Sequence, residues 1–77
     1  MDYTKILADI ARAIVDTPES VSVTESVDGN SIELVLSVAP DDMGKVIGRH
    51  GKIAKAIRAL MKAAATSEGK HIIVEIR

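Results

Sequence analysis

The 77-residue sequence has no cysteine, no tryptophan and no phenylalanine, and its single aromatic side chain is Tyr3. Without cysteine there can be no disulfide and no thiolate metal site. His50 and His71 stand 21 positions apart with no third ligand in view to complete a zinc site, so neither a metal nor another cofactor is expected. No apolar run approaches the roughly 20 residues that a membrane helix needs. The start, Met1-Asp2-Tyr3-Thr4-Lys5, lacks the basic segment and uninterrupted apolar stretch of a signal peptide. A cytoplasmic location with no membrane partner is the expectation. At this length a lone core supplies only about 3–5 kcal/mol of net stability. With no covalent staple or metal to add to it, association with a second chain is expected.

What is present is an apolar fraction of 47%, which fits a globular fold and not a disordered segment. The net charge of −1 conceals a segregation. Lys45, Arg49, Lys52, Lys55, Arg58 and Lys62 lie between Met43 and Lys62, where there is no Asp or Glu, so that window carries +6. The rest of the chain sets four basic against eleven acidic residues, or −7. A local basic patch on an acidic body is an electrostatic footprint for an anionic partner.

Apolar residues recur at helical spacing from Tyr3 through Ile6, Leu7, Ile10, Ala13 and Ile14, with Lys5, Asp9 and Arg12 on the other face. Pro18 restricts Thr17, so this helix is expected to end near Asp16. The period then changes to two: Val21, Val23 and Val27 alternate with Ser22, Thr24 and Ser26. Glu25 interrupts the apolar side, as an edge strand tolerates. Asp28-Gly29-Asn30 signals a hairpin turn into a strand from Ser31 to about Val38. A two-residue loop at either Asp28-Gly29 or Gly29-Asn30 puts odd positions of the first strand opposite even positions of the second. Val21 and Val23 then share a face with Ile32, Leu34, Leu36 and Val38.

Ala39-Pro40-Asp41-Asp42 opens a short helix that reaches about Ile47, with proline and early carboxylates suited to its first turn. Gly48 and Gly51 interrupt it. A longer helix follows from Lys52 to about Thr66, with Ile53, Ala56, Ile57, Leu60 and Ala64 as its expected apolar side. Lys52, Lys55, Arg58 and Lys62 fall on another arc. Ser67-Glu68-Gly69 stops it. His71 to Ile76 makes the last strand. The order is α-β-β-α-α-β, an α+β chain. Two helices between the last two strands allow a parallel crossover. The economical arrangement is a three-stranded mixed sheet with Ser31–Val38 central and all three helices on one face. No repeat or linker divides residues 1–77, so a single domain is expected, with a β-α-α-β core over about residues 30–77.

Two glycines three apart join helices without a linker in Val46-Ile47-Gly48-Arg49-His50-Gly51-Lys52-Ile53. Glycine permits the sharp turn and the close approach of another backbone. The first N–H groups of the following helix, its positive end and the nearby cations would make a phosphate site. Val46, Ile47, Ile53 and Ile57 could floor a groove for bases. A P-loop would need glycine at position 46, and so would a dinucleotide fingerprint; Val46 stands there, and both loops follow strands.

This segment, with Ile57 continuing the spacing, resembles the VIGxxGxxI core of KH domains. In those domains the GxxG loop clamps the backbone of about four nucleotides. The element order resembles the prokaryotic, type II arrangement. Asp16-Thr17-Pro18-Glu19-Ser20-Val21, Val38-Ala39-Pro40-Asp41-Asp42-Met43-Gly44-Lys45 and Ala54-Lys55-Ala56-Ile57-Arg58-Ala59-Leu60 extend the resemblance to the KhpA (YlqC-like) group of small bacterial KH proteins over nearly the whole chain. Carried over by position, Gly48, Arg49, His50 and Gly51 are the clamp, flanked by Ile47, Lys52 and Ile53, with Lys45 and Lys55 as further backbone contacts. The resemblance implies single-stranded RNA as ligand and a role as RNA chaperone or post-transcriptional regulator. It also implies a KhpB (Jag/EloR)-type KH protein as partner, with effects on cell-wall homeostasis and cell length.

Other readings of the same residues are simpler. Gly48 and Gly51 could form only a tight turn, and Lys55, Arg58 and Lys62 only a solvated helix face. Tyr3 fits helix packing better than base stacking, so bases would be held by aliphatic contacts and hydrogen bonds. A different function class is a KH-fold dimerisation adaptor, as homodimer or heterodimer, whose partner carries the RNA. No nucleophile–base pair is present to suggest an enzyme.

Overall fold

The computed structural model describes residues 1–77. Helix α1 spans Tyr3–Ile14, capped by Asp2, whose carboxylate accepts the Lys5 N–H at 3.1 Å. The helix ends at Ile14, two residues short of the expected Asp16. Val15 is already extended, at φ −87° and ψ 161°, and is 9% exposed. The next two N–H groups, of Asp16 and Thr17, bond to the carboxylate of Asp42 at 3.2 and 3.0 Å. That side chain takes the donors that would otherwise continue the helix.

Strands β1 (Ser22–Asp28), β2 (Ser31–Ser37) and β3 (His71–Ile76) form a single sheet in the order β1-β2-β3. β1 pairs antiparallel with β2, Val23 opposite Leu36 and Val27 opposite Ile32. Asp28 faces Ser31, so Gly29-Asn30 is the turn, one of the two expected registers. β2 pairs parallel with β3, Ile32 beside Ile72 and Leu34 beside Val74. The even positions of β2 and β3 point to the helices and are buried through Val74; Ile76 is half-buried at the end of the row. β1 is an edge strand, and Glu25 and Val27 on it are exposed.

After β2, a 3-10 turn at Pro40–Asp42 leads into α2 (Met43–Ile47). α3 (Lys52–Ser67) then runs back across the sheet to β3. Helix α3 does not bury the face its periodicity suggests. Its buried residues are Ala54, Ile57, Met61 and Ala65, whereas Leu60 is 61% and Ile53 36% exposed. Ile53, Ala56, Leu60 and Ala63 form a second apolar stripe that faces outward. Six alanines among its 16 residues leave the helix apolar on every side except its basic arc. The same holds in α1, where Ala8 and Ala11 are buried and Ala13 is exposed. Small side chains let each helix come close to the core, where bulk at those positions would be overpacked. Fifteen residues, from Tyr3 to Val74, form one apolar cluster. No helix is long and apolar enough to cross a membrane.

Candidate nucleic-acid interface

Between α2 and α3 the chain reverses within Gly48-Arg49-His50-Gly51. Gly48 stands at φ 75°, ψ 174°, a region that essentially only glycine occupies. Its Cα lies against the Ile53 side chain: a Cβ there would meet Cγ1 of Ile53 at 2.6 Å. Gly51 is left-handed at φ 72°, ψ 15°, with open space where a Cβ would be. His50 is also left-handed, at φ 57°, and is the one non-glycine residue with positive φ in the chain. Histidine tolerates this region better than most residues. The turn is closed by Gly51 N–H to the Gly48 carbonyl at 3.1 Å and by Lys52 N–H to the Arg49 carbonyl. Of the first N–H groups of α3, expected to face a phosphate, that of Lys52 is therefore engaged within the turn.

The cations divide into two sets. Lys5 and Arg12 pair with Asp9, Arg77 with Glu75, and Lys45 with Asp16 at 3.1 Å and Asp42 at 3.8 Å. Arg49, Lys52, Lys55, Arg58 and Lys62 have no carboxylate within ion-pair distance, and neither has Lys70, whose ammonium lies 6.0 Å from the centroid of the Tyr3 ring. Lys45, predicted as a backbone contact, is exposed and shares its ammonium with Asp16 and Asp42. Its ammonium is held above the ordinary lysine pKa, first by the hydrogen bond to Asp16 and then by the charges of Asp16, Asp42 and Asp41.

Lys52 and Lys55 are exposed on the first turn of α3, and Lys62 follows on the same arc. Ile47 and Ile53, at 38% and 36% exposed, flank the turn. Val46 and Ile57, the other proposed floor residues, are buried at 0% and 2% and belong to the core. Arg58 lies on the basic arc but is directed at the sheet: its Nε donates to the Val74 carbonyl at 3.2 Å. Asp42 was expected only as helix-start chemistry. It is instead 2% exposed and links the end of α1 to the start of α2. Its place after Pro40 gave no signal of that, because the donors lie 25 and 26 positions away.

An α-β-β-α-α-β chain with one sheet, helices on one face and a GxxG turn between its last two helices is a KH domain of the type II arrangement. The chain belongs to the KhpA/KhpB KH-domain family, which matches residues 4–76. A relative named RNA-binding protein KhpA, from Clostridium acetobutylicum, is 54% identical over 72 residues, covering 94% of this chain and 96% of that one. Its counterpart of the same name in Clostridium perfringens is 57% identical over 67 residues, with 87% and 89% covered. Treponema pallidum carries another, 47% identical over 73 residues, with 94% and 90% covered. Among solved structures, Era in complex with MgGDPNP and nucleotides 1506-1542 of 16S ribosomal RNA superposes with a TM-score of 0.70 at 17% identity. That match covers 96% of this chain and 28% of the Era chain. A variant of Aquifex aeolicus Era gives 0.68 at 17% identity, with 96% and 29% covered. This chain spans under a third of Era, and the likeness shows the fold alone.

Proposed function

We propose that this chain binds single-stranded RNA, holding the backbone of about four nucleotides at Gly48, Arg49, His50 and Gly51. The observation that carries the reading is that five of the six side-chain cations without a carboxylate partner lie together on the turn or on the adjoining arc of α3, Lys70 being the sixth. Arg49 and Lys52 supply the charge nearest the phosphates, with Lys55 next along the helix. Ile47 and Ile53 supply exposed aliphatic contact beside them. The relatives' name, RNA-binding protein KhpA, supports the same ligand.

In this reading residues 1–77 act as one domain, with the β-α-α-β unit of residues 30–77 as its binding core. The protein is a cytoplasmic RNA chaperone or post-transcriptional regulator and no enzyme. A KhpB (Jag/EloR)-type KH protein is its partner, with cell-wall homeostasis and cell length as the affected processes. A second reading, a dimerisation adaptor whose partner binds most of the RNA, draws support from the outward apolar stripe of Ile53, Ala56, Leu60 and Ala63 on α3.

The test is the double substitution Arg49→Asp/His50→Asp, measured by RNA titration and thermal melting. Both positions are exposed, and aspartate tolerates the left-handed conformation of His50. RNA affinity should fall at least about tenfold with the fold retained. Unchanged affinity would reject the clamp. If the isolated wild-type chain binds no RNA but its heterodimer does, and the loop substitution leaves that binding unchanged, the adaptor reading stands.

A further inference from the structure

Arg58 is held in a way that no other cation of the patch is. Of the side-chain hydrogen bonds in the chain, only the one from its Nε to the Val74 carbonyl joins a helix to the main chain of a strand. The ladder bonds show which way that carbonyl points. His71 N–H donates to the Asn30 carbonyl, Arg77 N–H donates to the Leu36 carbonyl, and Val38 N–H donates to the Arg77 carbonyl. Odd positions of β3 therefore bond toward β2. By alternation along the strand the main-chain groups of Ile72, Val74 and Ile76 face away from it. β3 is an outer strand of the sheet. Arg58 thus meets the free edge of β3.

The consequence for the guanidinium is orientation. Nε is spent on a fixed acceptor, and no carboxylate takes the terminal nitrogens. What remains is a planar pair of donors in a set direction, with no acceptor of its own. Lys55 and Lys62, on the same arc, are exposed point charges on flexible stems. Arg58 stands six residues beyond Lys52, or about 9 Å along the helix axis. That puts it beyond the turn that would hold the phosphates. The Val74 carbonyl beside it offsets part of its charge, which weakens it as a phosphate ligand and leaves its directional hydrogen bonding intact.

We infer that Arg58 reads a base of the bound single strand, donating its two terminal nitrogens to an edge that carries two adjacent acceptors. Guanine offers such an edge at O6 and N7, and cytosine at O2 and N3. Adenine and uracil carry no two adjacent acceptors on one base edge: adenine N1 and N7 each lie beside the N6 amino donor, and uracil O2 and O4 are separated by the N3–H donor. The strand preference that follows is for cytosine or guanine at one position over adenine or uracil. This inference rests on the single-stranded RNA reading above and adds to it the residue that sets sequence preference.

The experiment uses the full chain and a labelled oligoadenylate into which a single cytidine, guanosine or uridine is placed at each position in turn. Wild type should favour cytidine or guanosine at one position by roughly 5- to 150-fold, the range of a bidentate arginine–base pair. Arg58→Lys keeps the charge and loses the fork. It should reduce that preference to under about twofold while affinity for the oligoadenylate itself changes by less than about threefold. Arg58→Gln should lose the same preference, and thermal melting of both variants confirms the fold. A preference that survives in Arg58→Lys overturns the assignment. So does a loss of affinity that is equal for all four bases, since that marks a backbone contact. Wild-type binding without any base preference overturns the assignment alone, whereas wild type that binds none of the oligonucleotides overturns the RNA reading together with it.

Discussion

Gly48 and Ile53 are packed so closely that any side chain on Gly48 would collide with Cγ1 of Ile53, 2.6 Å from where its Cβ would stand. The two glycines of the turn are therefore not equivalent. Gly51 needs only a positive φ, which asparagine also adopts, and its outer side is open.

Gly48→Ala should destabilise the protein by at least about 2 kcal/mol, combining a glycine-only conformation with overpacking. Gly51→Asn should cost no more than about 1 kcal/mol. For a domain of this size the first corresponds to a drop in Tm of roughly 10 °C. Ile53→Ala in the Gly48→Ala background should restore part of that loss, and urea melts of the four combinations give the coupling. Additive effects would show that the contact is not the cause.

The buried Asp42 predicts a second contrast. Asp42→Ala leaves the N–H groups of Asp16 and Thr17 without their acceptor. A fully buried unsatisfied donor costs about 1–3 kcal/mol; both donors here are only part-buried, so a combined loss in the lower part of the summed range, roughly 2–4 kcal/mol, is expected. Asp41→Ala, next door and exposed, should stay within about 0.5 kcal/mol. Chemical denaturation of the pair measures this, and equal losses would deny Asp42 its role.

Tyr3 and Glu68 predict a pH dependence at both extremes. The hydrogen bond from the Tyr3 hydroxyl to Glu68 is the first cause of both shifts: the phenol is raised to about 12 and the carboxyl is lowered. Because the folded phenol holds its proton more tightly, its stabilisation is full below pH 10 and is lost as the pH rises from 10 toward about 12. Because the folded carboxyl is more acidic, its stabilisation is present above pH 4.5 and is lost as the pH falls through the lowered value. Tyr3 is the only tyrosine and there is no tryptophan, so ultraviolet absorbance follows the phenolate directly. Its midpoint should move back toward 10 in Glu68→Gln. An identical midpoint in the variant would remove Glu68 as the cause.

Salt dependence distinguishes a compact clamp from an extended track. With Lys45 paired to Asp16, a clamp through Arg49 and Lys52 alone neutralises about two phosphates, a slope of log affinity against log salt near −1.4. All five unpaired cations of the turn and α3 on the backbone would give about −3.5. Lys55→Gln/Lys62→Gln should leave a compact clamp's slope unchanged. A steep slope that falls by about 1.4 in that variant would establish the extended track.

Much of this protein was legible in local pattern. The periods of 3.6 and 2 marked the two long helices and the strands to within about two residues, whereas the expected start of the short helix is a 3-10 turn at Pro40–Asp42 before α2. Odd-to-even pairing across Asp28-Gly29-Asn30 set the hairpin's inward face before the turn was known, and Gly29-Asn30 satisfies it. The edge position of β1 followed from Glu25. The turn at Gly48–Gly51 and the basic window were visible because glycine spacing and charge are properties of the chain itself.

What tertiary structure decided is every choice between local equivalents. Helix α3 carries two apolar stripes, and only contact with the sheet selected Ala54, Ile57, Met61 and Ala65 over Ile53 and Leu60. Periodicity finds an apolar face, but it does not count how many faces a helix has when alanine fills the gaps. Lys45 and Arg58 look alike in sequence as members of one cationic run. Folding ties the first to Asp16 and the second to a carbonyl 16 positions away, and leaves Arg49, Lys52, Lys55 and Lys62 unpaired. A charge is a local property of the chain, whereas its partner is set by which distant segments the core brings together.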